Sequence, residues 1–203
     1  TENAQSRPAG PPHLRLASSW QKPQTSRHIM SDRRQRAFLE GTIIPGMRRL
    51  REHPWQTAAL AGLGGALTIA LLATLTMSGG YALLIPPFGA SCVLVFALPA
   101  SPLAQPRNVI GGHLVTATAG LLACAAFGPG IAAASLGVGL GISAMVLTRT
   151  VHPPAGANPL VVLTSLATPS FLVMPVLVGS AAIVACAVLY HRVVTGLNYP
   201  AKP

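Results

Sequence analysis

Pro86-Pro87-Phe88-Gly89-Ala90-Ser91 and Pro153-Pro154-Ala155-Gly156-Ala157-Asn158 are near-copies, the second preceded by His152, and each interrupts a run of apolar residues. Proline lacks a backbone donor and its ring clashes with the preceding turn, so a Pro-Pro pair inside an apolar segment frees peptide groups that need other partners. In a bilayer such breaks persist only where protein or a water-filled cavity satisfies them. A matched pair of breaks in two halves of a membrane chain points to a solute site.

Their surroundings are those of a membrane protein. Of 203 residues, 51% are hydrophobic and only 9% charged, against roughly 25% charged in soluble domains, and the mean hydropathy is +0.53. All four acids, Glu2, Asp32, Glu40 and Glu52, precede position 53, as do ten of the fourteen basic residues. Arg33, Arg34, Arg36, Arg48, Arg49 and Arg51 sit directly before the first apolar run, where they read as a positive-inside signal beside anionic headgroups. No aromatic interleaving accompanies them, so the expected partner is the lipid bilayer and not nucleic acid. Cys92, Cys124 and Cys186 lack the close spacing of a metal knuckle or redox pair and read as buried small residues.

Composition divides the chain into four stretches. Residues 1–30, rich in Pro, Ser, Gln and Arg, read as a disordered leader. Residues 31–53 alternate charge with Phe38, Leu39, Ile43, Ile44, Met47 and Leu50, the pattern of a basic amphipathic segment on the cytoplasmic membrane surface. Residues 54–194 form the transmembrane domain, and 195–203 a tail. The first long apolar run has no small-residue cleavage site and reads as a retained span.

Within the domain the spacing predicts six hydrophobic segments: Thr57 to Met77, Tyr81 to Leu98, Asn108 to Phe127, Ile131 to Leu147, Val151 to Leu166 and Phe171 to Tyr190. Four read as full helices, and the second and fifth as Pro-broken. The expected fold is therefore an all-α membrane protein. With six crossings and a cytoplasmic N-terminus, Arg107, Arg149 and the Arg192 to Lys202 tail all fall inside; with four crossings and two re-entrant loops, Arg107 and Arg149 fall outside. The positive-inside tendency favours six. Six crossings divide into an inverted 3+3 repeat, and a constant offset of 67 superposes Pro86-Pro87 on Pro153-Pro154, Gly89 on Gly156, Ser101-Pro102 on Thr168-Pro169 and Gly112 on Gly179.

In each broken segment an extended piece is expected to lead through Pro-Pro-x-Gly into a short helix beginning near Ala90 or Ala157, with Ser91 and Asn158 as N-cap residues. Helix N-termini carry unsatisfied N–H groups and partial positive charge, which suits an anion. The spans contain no acid, whereas cation and proton pathways usually place Asp or Glu there. The expected substrate-binding residues are Pro86, Pro87, Gly89, Ser91, His113, His152, Pro153, Pro154, Gly156 and Asn158. The two histidines have plain alternatives: His152 capping carbonyls freed by Pro153, and His113 making a helix-to-helix hydrogen bond. Arg107 and Arg149 read either as topology determinants or as an electropositive mouth. Gly62, Gly65, Ser135, Gly137, Gly139, Gly141 and Ser143 give small-residue faces for close helix packing or, alternatively, for a homo-oligomer.

At Val151-His152-Pro153-Pro154-Ala155-Gly156-Ala157-Asn158-Pro159, with the first break and the stretch Gln105-Pro106-Arg107-Asn108-Val109-Ile110-Gly111-Gly112-His113, the chain resembles the HPP family of integral membrane proteins, named for its His-Pro-Pro motif. The resemblance spans Arg51 to Val194. It implies a membrane protein described as four-helical, with some cyanobacterial and chloroplast relatives associated with nitrite transport.

The reading that unites these features is a transporter or channel for a small inorganic anion, nitrite by resemblance, in a bacterial inner membrane or alternatively an organelle inner membrane. A small neutral or cationic solute is one alternative, and a membrane anchor or sensor without transport is another. An enzyme is not expected, because neither a carboxylate partner for the histidines nor a Ser/His/Asp arrangement is present. No metal, cofactor or catalytic residue is expected.

Overall fold

The computed structural model describes residues 53–79 and 82–201. The leader, nearly all of the amphipathic segment with its arginine cluster, and Lys202 lie outside the described residues. Those described contain helices and no strand. In order they are α1 (Pro54–Gly79), α2 (Pro86–Cys92) running on into a wider π-type turn over Val93–Ala97, a 3₁₀ turn at Pro102–Ala104, α3 (Pro106–Phe127) and α4 (Ile131–Leu147). A 3₁₀ turn at Pro153–Ala157 then leads into α5 (Asn158–Ser165). Further 3₁₀ and π-type turns, Pro169–Leu172 and Val173–Leu177, precede α6 (Val178–Tyr190), which ends in a π-type turn at His191–Thr195.

Three segments are long and apolar enough to cross a membrane: Pro54–Gly79 with 26 residues, Pro106–Phe127 with 22 and Pro169–Thr195 with 27. Pro86–Ala97 and Ile131–Leu147 are shorter apolar helices. The 17 residues of α4 span about 25 Å at 1.5 Å per residue, at the short end of what a crossing needs. α1 shows why such a helix prefers lipid to water. It buries only Gly64, Thr68 and Leu72, one residue every four along a single line, while Leu63, Leu67, Leu71 and Leu75 stay exposed on other faces. A helix that is apolar all round has no polar face to offer water. Its hydroxyls turn inward: Thr68, Thr74 and Thr76 each donate to the carbonyl four residues back, at 2.8–2.9 Å. In lipid this gives each of these three hydroxyls a partner within its own helix.

The sixth segment departs from the unbroken helix expected over Phe171 to Tyr190. Pro175 has no N–H to give, and Met174 leaves helical geometry at φ −124, ψ 115, so the regular helix starts only at Val178.

Side-chain contacts fix how the segments run. Near the end of α1, Thr76 Oγ1 accepts from the Leu83 N–H at 3.0 Å; near its start, Gly64 faces the Phe96 ring. Residues 83–97 therefore run back along α1. Tyr190, at the end of α6, donates to the Leu60 carbonyl at 2.7 Å, and His191 bonds the Val95 carbonyl at 2.8 Å, a group the π-type turn leaves available. Tyr199 donates to the Ala104 carbonyl at 2.8 Å, and Arg107 to the Thr148 carbonyl at 3.0 Å. The start of α1, the 98–107 connection, the 148–150 turn and the C-terminal end of α6 thus share one end of the molecule. Tyr190→Phe, which deletes only the α6-to-α1 bond, should lower thermal stability in detergent by about 1 kcal/mol.

Candidate functional site

The two breaks are built alike but begin differently. Both are entered through extended backbone, Ile85 at φ −125, ψ 147 and His152 at φ −139, ψ 98. In the first, the helix starts at Pro86 itself and not near Ala90. Pro86 and Pro87 occupy the first helical positions, where the missing N–H groups have no intrahelical acceptor to lose. In the second, Pro153 and Pro154 open the 3₁₀ turn, and α5 follows at Asn158, within a residue of the expected start. Neither Ser91 nor Asn158 is an N-cap: Ser91 lies inside α2, and Asn158 makes no capping bond. Longer-range partners have claimed both side chains.

Those partners form one buried cluster. Ser91, His113, His152 and Asn158 are each fully buried. The Ser91 hydroxyl lies 2.8 Å from His113 Nε2 and 2.8 Å from His152 Nε2, with the Pro87 carbonyl at 3.2 Å. His152 Nδ1 is 2.8 Å from the Leu103 carbonyl. The Asn158 amide nitrogen reaches His113 Nδ1 and the His113 carbonyl, both at 3.0 Å, and Thr116 Oγ1 at 3.1 Å. Phe88 and His152 both pack edge-on against the His113 ring, with centroids 5.1 Å away.

Elementary donor and acceptor accounting orients the bonds of the two imidazole rings. A carbonyl only accepts, so the Leu103 oxygen requires a proton on His152 Nδ1, leaving Nε2 of the neutral ring as an acceptor. The His113 carbonyl likewise requires the amide nitrogen of Asn158 to face it, so His113 Nδ1 accepts and its Nε2–H donates to Ser91 Oγ. The Ser91 O–H then donates to His152 Nε2. One buried side-chain polar atom among the described residues has no partner: Asn158 Oδ1.

Of the expected site residues, the structure brings Ser91, His113, His152 and Asn158 into contact. Pro87 contributes its carbonyl to this group. Pro86, Gly89, Pro153, Pro154 and Gly156 shape the two turns and contribute no side-chain hydrogen bond to it. Gly89 is exposed and Gly156 half-buried, and a Cβ at either would meet nothing within 4 Å. The plain alternative for His113 is realised, as it bonds across helices. His152 caps a carbonyl too, though that of Leu103 and not one freed by Pro153. Sequence reasoning missed Thr116, Leu103 and Phe88, and the buried His191; an isolated histidine inside an apolar run was the available signal for the last.

Glycines lock the breaks to the helices beyond them. A Cβ on Gly112 of α3 would lie 2.8 Å from both the Thr150 carbonyl oxygen and His152 Cβ, at the second break. A Cβ on Gly179 of α6 would run into the Phe88 ring and come 3.3 Å from the Leu83 carbonyl oxygen, at the first. Only glycine permits both approaches.

The fold and this cluster define an integral membrane protein with a polar centre held inside apolar helices. The profile of the transmembrane region of HPP proteins matches residues 50–200. A transmembrane protein of Dictyostelium discoideum is 34% identical over 169 residues, covering 79% of this chain and 54% of that protein. A second from the same organism is 32% identical over 165 residues, covering 77% and 57%. The chain therefore belongs to the HPP family, and it spans little more than half the length of these curated relatives. No solved structure matches it.

Proposed function

We propose that the chain is the membrane-embedded part of a transporter or channel for a small inorganic anion, nitrite foremost. The observation that carries this reading is the convergence of the two proline breaks on His113 through Ser91 and Asn158. An anchor has no use for two broken segments meeting at a buried polar cluster. The sequence places no acid in the spans, which favours an anion over a cation. Nitrite itself comes from the family resemblance.

Six passes in an inverted 3+3 arrangement suit this function. The antiparallel course of residues 83–97 along α1 supports it, and so does the reciprocity of the two glycines. Gly112 meets the Thr150 carbonyl and Gly179 the Leu83 carbonyl, which is the same offset of 67 that relates the two breaks. Ser101 and Thr168, paired by that offset, each precede a 3₁₀ turn opened by proline. Exposed Arg107 and Arg149 lie together at the end where α1 begins, and the positive-inside tendency makes that end cytoplasmic. This orientation suits a bacterial inner membrane, the location we propose, and the open small-residue position Gly62 suits self-association.

A second reading, a neutral solute that donates a hydrogen bond, is favoured by one atom, because the unpartnered Asn158 Oδ1 is an acceptor. Flux measurements separate the two. Gly156→Leu adds bulk at the second break where a Cβ meets no neighbour, and it should reduce nitrite uptake into proteoliposomes at least tenfold. Uptake of a neutral donor such as urea, with nitrite excluded, would establish the second reading instead.

A further inference from the structure

Ser91 Oγ has more partners than one hydrogen can serve, and this has a chemical consequence at His152. The hydroxyl has two acceptors within reach, His152 Nε2 at 2.8 Å and the Pro87 carbonyl at 3.2 Å. When its hydrogen points to His152, the imidazole is neutral and every donor is used. When it turns to Pro87, the oxygen presents a lone pair to His152 Nε2, and only a protonated Nε2 satisfies that contact. In this second arrangement both N–H groups of His152 are partnered, Nδ1–H by the Leu103 carbonyl and Nε2–H by Ser91 Oγ, each at 2.8 Å. Rotation of a single hydroxyl thus converts the cluster from holding imidazole to holding imidazolium, with no ring or backbone movement.

We propose that His152 is a proton-binding site, taking a proton on Nε2 as the Ser91 hydroxyl turns to the Pro87 carbonyl, and that this proton enters together with the transported anion. The proton comes from water on the entry side; one N–H bond forms and no covalent bond of the protein breaks. His113 stays neutral throughout, because its Nδ1 is held as an acceptor by Asn158 and its Nε2–H already donates to Ser91. A charge buried alone is costly unless paired. The elements packed on His152 supply no counter-charge. α2 brings Cys92 and α3 brings His113, Cys124 and the exposed Arg107, while the exposed Arg149 follows α4, and α4 and α5 carry no titratable side chain. Among the described residues no carboxylate lies there, so a bound anion is the group that can compensate imidazolium. Proton and anion thereby favour each other's binding.

This inference rests on the transport reading, and two measurements keep their failures apart. In protein labelled with ¹⁵N-histidine, assigned through His113→Gln and His152→Gln, the neutral rings should show opposite tautomers, Nε2–H for His113 and Nδ1–H for His152. On lowering pH with nitrite present, the ring nitrogens of His152, and not those of His113, should converge to the imidazolium pattern, and Ser91→Ala should lose that response. In proteoliposomes, nitrite uptake should carry about one proton per anion beyond the movement seen in protein-free vesicles. A His152 that stays neutral while nitrite enters without a proton overturns the inference and leaves transport standing. Absence of nitrite uptake overturns the transport reading, and the histidine spectra alone then decide whether His152 binds the proton.

Discussion

His113→Ala is expected to lower the stability of the detergent-purified protein by about 4 kcal/mol, measured by thermal and denaturant unfolding. Three losses combine. The Asn158 amide loses the ring acceptor that accompanies the His113 carbonyl and Thr116 Oγ1 among its partners. Ser91 Oγ loses the Nε2–H that donates to it at 2.8 Å. The ring also fills space against Phe88 and His152, with centroids at 5.1 Å from each, and its removal leaves a hole in a fully buried place. Buried groups stripped of partners cost about 1–3 kcal/mol each, and the cavity adds to that. His113→Gln retains a donor and an acceptor and should recover part of the loss. His113→Leu restores volume without a donor or acceptor, and equal recovery by leucine and glutamine would show that packing alone matters at this position.

Gly112→Val should cost about 3 kcal/mol through overpacking. A Cβ there meets the Thr150 carbonyl oxygen and His152 Cβ, both at 2.8 Å, and Met145 Sδ at 3.4 Å. Methionine can move aside, but the carbonyl belongs to the backbone that leads into the second break. To admit valine, α3 must separate from residues 150–152, which pulls His152 away from Ser91 and Leu103. Gly139→Val provides the contrast, because a Cβ at Gly139 meets nothing within 4 Å. It should be neutral or stabilising by a few tenths of a kcal/mol, since valine is a slightly better helix former than glycine. A Gly112→Val protein as stable as the Gly139→Val protein would contradict the close packing of α3 on the second break.

The limits of each segment were legible because apolar runs and punctuating prolines are local signals. Ile131–Leu147 matches its expected bounds, and α1 and α3 extend only a few residues past theirs. The four polar residues that meet were legible as types, since serine, asparagine and histidine are conspicuous in apolar surroundings. Their roles were not. Ser91 and Asn158 suggest helix caps locally, yet partners 22 and 45 residues away in sequence claim both side chains. Carbonyl acceptors leave no trace in residue identity, so the Leu103 oxygen that fixes the His152 tautomer could not be read from the chain. The interruption at Met174 was foreshadowed by Pro175, but the high hydropathy around it masked the break. His191 likewise gains meaning only when folding brings Val95 within 2.8 Å.

Nitrite uptake into proteoliposomes tests the central claim, that the cluster at the paired breaks serves anion passage, most directly. The wild-type chain should take up nitrite well above protein-free vesicles, Gly156→Leu should cut that uptake at least tenfold, and Gly139→Leu, equally roomy but remote from the breaks, should leave it unchanged. Uptake no greater than in protein-free vesicles, or uptake that Gly156→Leu and Gly139→Leu affect alike, would contradict it.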